Sequence, residues 1–160
     1  MLFLKLFRAG FFSKVLLAAI FFLSFSKDSI GRGKPMEYGV LTKAEKQLTV
    51  YEPDTTAGAV VLSAFGDLKV IEKSQQFKCV FIKHKRIKIL KETGIDEGDI
   101  SIYYYSVNRY QKIRNLRAQI FSPDGTVQQL DKDDFFDEKV NSKYRAKKFA
   151  FPKVEVGSII

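Results

Sequence analysis

After the first 26 residues, apolar and polar positions alternate with a period of two through most of this chain, so strands dominate the expected elements. The longest such run is 77–90, FKCVFIKHKRIKIL. Phe77, Cys79, Phe81, Ile87 and Ile89 share one parity, and Lys78, Val80, Ile82, His84, Arg86, Lys88 and Leu90 share the other. The odd parity is expected to face a core, with Lys83 and Lys85 marking where the strand bends, bulges or emerges into solvent. The run is expected to be the central structural strand.

Around it, 59–65 (AVVLSAF) and 68–72 flank Gly66-Asp67 and suggest a hairpin turning there. Residues 99–105 (DISIYYY) carry bulk on both parities, which suggests a sheet interior or a shared interface. Residues 111–121 and 126–130 flank Ser122-Pro123-Asp124-Gly125, the clearest hairpin signal in the chain. The acidic stretch 131–138 suggests a helical turn or a loop, 143–151 is a strand, Pro152 interrupts, and 157–160 begins another strand. Thr42 followed by Glu45 forms a capping box and predicts a helix over 43–50, stopped by Pro53 and Asp54. The expected fold is mainly β, an antiparallel β-sandwich-like domain with one short N-terminal helix.

The first stretch changes the domain count. Lys5, Arg8 and Lys14 precede VLLAAIFFLSF at 15–25, an apolar run shorter than the ~20 residues of a membrane span. Ser24 and Ser26 suit positions −3 and −1 of a cut before Lys27. The expected division is a signal peptide at 1–26, a flexible leader at 27–37 and a β-rich domain at 38–160. That domain is expected to be incomplete, because the sequence stops within an apolar strand. An uncleaved anchor is the alternative for 1–26. Removing those residues takes three bases from a formal charge of +9, so the remainder is less basic than the whole. Export follows, with the membrane met only through the signal peptide before cleavage.

One cysteine cannot close an internal disulfide. Cys79 and the only histidine, His84, are five residues apart, so on a regular strand they point to opposite faces. A cysteine hydrolase built on them is therefore the weaker reading, and Cys79 among Phe77, Val80 and Phe81 is expected to be a small buried hydrophobe. Cofactors and metals find no ligand set, phosphate loop or nucleophile elbow. The basic run Lys83, His84, Lys85, Arg86, Lys88 and Lys91 with Tyr103 to Tyr105 resembles a binding surface. The candidate set is Lys83, Lys85, Arg86, Lys88, Tyr103 and Tyr105, for envelope polysaccharide or a partner domain; export argues against nucleic acid.

Several segments also fall into one recognisable order. They are Asp54, Ala57 and Ala59 leading to Val60-Val61-Leu62; Arg86 to Leu90, then Gly94; Lys132-Asp133 with Phe135 and Lys139-Val140; and Lys148 to Pro152, Val154 and Gly157 to Ile160. In these the chain resembles the exported bacterial family named domain of unknown function 3857. The resemblance implies a β-rich domain with no activity of its own, lying N-terminal to a transglutaminase-like domain that carries Cys, His and Asp. It assigns no catalytic role to Cys79 or His84. The resemblance implies a place in the periplasm or cell envelope of a Gram-negative bacterium, and the expectation is a non-catalytic accessory or interaction module of an envelope protein whose catalytic half lies beyond this sequence.

Overall fold

The computed structural model describes residues 36–160, and the expected signal peptide and the first nine leader residues lie outside them. Thr42 opens the first element as the sequence predicts. Its hydroxyl accepts from Glu45 N at 3.2 Å while Glu45 Oε2 accepts from Thr42 N at 2.6 Å. The resulting helix, α1 (Lys43–Gln47), is a little over one turn and ends well before Pro53.

The next two elements correct the sequence reading. Strand β1 (Ala59–Lys73) passes straight through Gly66-Asp67 and pairs antiparallel with β2 (Gln76–Ile89) along its whole length. The turn is Ser74-Gln75, with φ of 53° and 60°, the left-handed pair that a two-residue hairpin loop requires. Neither residue type advertises that conformation. Gly66 serves a different end: a Cβ there would stand 3.1 Å from Phe81 Cε2, so the missing side chain makes room for the cross-strand ring. A bulge between Val61 and Ser63 shifts the register near the base of the ribbon.

A seven-residue 3-10 helix (Glu92–Gly98) leads to β3 (Asp99–Tyr105). It starts beside Gly58, whose carbonyl accepts from Leu90 N and Lys91 N at 2.7 and 2.9 Å. Gly94 lies so close that a Cβ on it would fall 2.2 Å from that same oxygen. The predicted strand over 111–121 shortens to β4 (Gln119–Phe121), which pairs with β5 (Val127–Gln129) around the expected Pro-Asp-Gly turn. A 3-10 turn (Lys132–Asp134) precedes β6 (Phe136–Lys139), and β7 (Tyr144–Ala150) closes the set of strands.

Two sheets result. In one, the order is β3-β7-β6, all antiparallel, which places β3 at an edge and not in a sheet interior, the first of its two expected settings; alternate β3 residues are exposed. In the other, the last residues join two strand pairs. Ile87 and Ile160 exchange backbone hydrogen bonds at 2.8 and 2.9 Å, as do Phe121 and Ile159. Ser158 and Ile159 are 0% and 2% exposed, so the segment at 157–160 runs between β2 and β4 as an inner strand. The sheets meet where Ala118 and Leu130, flanking the β4–β5 hairpin, pack with Phe149 of β7 and with Ile100 and Ile102 of β3. Among the described residues the fold is mainly antiparallel β with one short α-helix. No helix among the described residues is long and apolar enough to cross a membrane.

Candidate interaction surface

Strand β2 divides into two parts with opposite environments. At its base, 86–90, every residue is buried. Ile87, Ile89 and Leu90 belong to the buried hydrophobic set, while Arg86 and Lys88 reach α1 and the segment before it. Arg86 Nη1 donates to Glu45 Oε1 at 2.7 Å and to Met36 Sδ at 3.7 Å, and its Nη2 donates to the Glu37 carbonyl at 2.9 Å. Burial alone would raise the Glu45 carboxyl, but hydrogen bonds from the Thr42 backbone, from Arg86 and from the Thr42 hydroxyl outweigh it and hold the pKa below the ordinary value. Lys88 Nζ donates to the Lys46 carbonyl at 3.3 Å, and burial lowers its pKa.

These contacts remove Arg86 and Lys88 from the expected binding surface. In a basic run both would be expected at the surface, but here each is 4% exposed and clamps the N-terminal segment onto the sheet. Lys83 and Lys85 are exposed on the same strand. Tyr103, 63% exposed, and the half-buried Tyr105 belong to β3 in the other sheet. The six residues therefore occupy three settings instead of one surface.

Beyond Lys83 the ribbon is exposed on both faces, against the expectation that the odd parity is core throughout. Phe77 is 76% and Phe81 64% exposed, and Leu68 and Val70 are 63% each. The cross-strand pairs Leu68–Phe81 and Val70–Cys79 put these residues on one face, with Phe77 next along it opposite Glu72. Cys79 is thus an exposed thiol and not a buried hydrophobe, because nothing among the described residues packs over this face. The register runs unbroken from His84 to Cys79, so the two stand on opposite faces, and His84 lies against Tyr38 at 6.3 Å between ring centroids. The sequence shows the apolar alternation of 68–72 and 77–81. What it lacks is any sign that no second layer covers them.

Two further features lie on the other sheet. Asp137 accepts from Tyr104 Oη at 2.7 Å and Arg145 Nε at 2.5 Å and pairs with Lys147 at 3.3 Å. Burial opposes its ionisation, but the bonds from Tyr104, Arg145 and Lys147 outweigh it and bring the carboxyl down to about 2. Near the end of β3, Tyr105, Val107, Asn108, Tyr110 and Gln111 line a shallow depression of about 370 Å³. Asn108 and Arg109 both have positive φ there. Among the described residues, no cluster of His, Cys, Asp and Glu could hold a metal.

Comparison with known families gives one match. The model of DUF3857, a Domain of Unknown Function, matches residues 77–160, from the tip of the ribbon through the inner strand at the end of the sequence. Searches of curated proteins and of solved structures returned no match. The matched span covers more than half of the sequence, and the chain belongs to the DUF3857 family.

Proposed function

We propose that this domain is a non-catalytic interaction module of an exported bacterial envelope protein, working beside a transglutaminase-like catalytic domain outside the present sequence. The observation that carries the reading is the β1–β2 ribbon, whose far half presents Leu68, Val70, Phe77 and Phe81 to solvent on one face. Exposed contiguous apolar surface on a folded domain marks a place of contact. The opposed positions of Cys79 and His84 weigh against the cysteine-hydrolase alternative. A photoreactive phenylalanine at Phe81, in the full-length protein in its native envelope, tests the reading. Specific adducts from Phe81, absent from the same probe at exposed Gln128, are expected; no adduct at either position sinks the module reading. Acyl-transfer activity of this chain that disappears in Cys79→Ala would sink it from the other side.

A second reading, saccharide binding, has the depression at Tyr105 and Tyr110 in its favour, since the exposed ring of Tyr110 beside amide groups suits a sugar ring. Retention on peptidoglycan that Tyr110→Ala abolishes would support it, and no retention at low salt would remove it.

A further inference from the structure

On the exposed face of the ribbon, chemistry changes in order along the strands. The outer rows hold Phe77 opposite Glu72 at the tip, then the Val70–Cys79 pair and the Leu68–Phe81 pair. The next two hold Lys83 opposite Gly66 and Lys85 opposite Ala64, on the same face and exposed. The opposite face alternates Asp67, Lys69 and Lys78 with Ile71, Val80 and Ile82. Across 66–85 the ribbon carries five lysines against Asp67 and Glu72.

We propose that this face lies flat on an anionic lipid bilayer, with its apolar row at the acyl boundary and Lys83 and Lys85 at the lipid phosphates. The proposal rests on the reading of the domain as an interaction module and names what the module touches. It also departs from the expectation that the membrane is met only through the signal peptide before cleavage. Charge favours an anionic occupant, because a second copy laid on the same face would oppose two sets of lysines. Area points the same way. Five apolar side chains are far fewer than the roughly 20–30 residues per side of a stable protein interface. Reversible adsorption to a bilayer needs only a modest apolar patch and a few nearby lysines.

The chain has no tryptophan, so Phe81→Trp places a single indole on this face and leaves residues 1–26 spectroscopically silent. The full chain carrying it is titrated with vesicles of mixed phosphatidylcholine and phosphatidylglycerol, and with phosphatidylcholine alone. Expected are a blue shift and quenching by brominated acyl chains with the anionic vesicles only. Adding Lys83→Gln and Lys85→Gln should weaken the response by about 30-fold, from two charges lost at an anionic surface. Val80→Trp, on the other face, should remain water-exposed and unquenched. Emission unmoved by anionic vesicles, or moved equally by neutral ones and unaffected by the lysine changes, overturns the proposal. So does a blue shift without vesicles that grows with protein concentration, which would assign the face to a second copy. If vesicles give no response but the Phe81 photoprobe still finds a protein partner, the bilayer falls and the interaction module stands; if both fail, both fall.

Discussion

Within the single strand β2, Phe77 and Phe81 keep 76% and 64% of their surface in solvent, while Arg86 and Lys88 keep 4% each. The usual placement of aromatic and charged residues is inverted over a few positions. The difference lies in what each half has for neighbours. The base has the inner strand at 157–160 on one edge and α1 over one face, and Glu45 with three carbonyl or sulfur acceptors satisfies the buried cations. The outer half has only β1 beside it, and two strands cannot cover their own faces. A side chain's burial here follows from the reach of the surrounding elements, and hydrophobicity alone does not assign it.

The comparison breaks most severely at the clamp. Arg86→Met should cost about 3–5 kcal/mol, because it leaves the Glu45 carboxylate buried and unpaired. Chemical denaturation would show it, and a further Glu45→Leu change should recover much of the loss; a small effect of Arg86→Met would mean the base is less dry than its burial indicates. Ile159→Ala should cost about 2–4 kcal/mol by opening a cavity in the inner strand. Hydrogen exchange should then accelerate at Ile87, Ile89 and Phe121 and stay unchanged at the ribbon amides beyond Lys83.

Acid sharpens the contrast at a third place. The Asp137 carboxyl is held at about 2, below the ~3.9 of an unfolded aspartate, so its contribution is complete above about pH 4 and is lost as pH falls through the folded value. Thermal melts between those limits should show the loss, and Asp137→Asn should flatten that part of the profile, with an effect at neutral pH of up to about 1 kcal/mol for so exposed a set of pairs. The smallest effect belongs to the ribbon. Phe81→Ser should change stability by no more than about 0.5 kcal/mol, although a buried phenylalanine would cost several times that. A large loss would show that the exposed face is covered in solution.

Much of the fold was legible residue by residue. Thr42 and Glu45 announce α1, alternation from Asp99 and from Tyr144 marks β3 and β7, and Ser122 to Gly125 sets the β4–β5 turn. Each depends on chemistry within a few positions of itself. The hairpin was misplaced because Gly66-Asp67 carries stronger turn chemistry than Ser74-Gln75, while the space Gly66 provides is for a ring fifteen residues away in sequence. The candidate surface was misread for a related reason: Arg86 and Lys88 resemble Lys83 and Lys85 until Glu45 and the Lys46 carbonyl are brought over them.

The sequence by itself determined the β character of the chain, the capped helix α1 and the opposed faces of Cys79 and His84, because strand period and capping are local. Tertiary structure alone decided that 157–160 is an inner strand, that two bases in β2 are a buried clamp, and that no described segment covers the apolar end of the ribbon. Those outcomes depend on which distant segments arrive to supply hydrogen bonds and cover, and no periodicity records that.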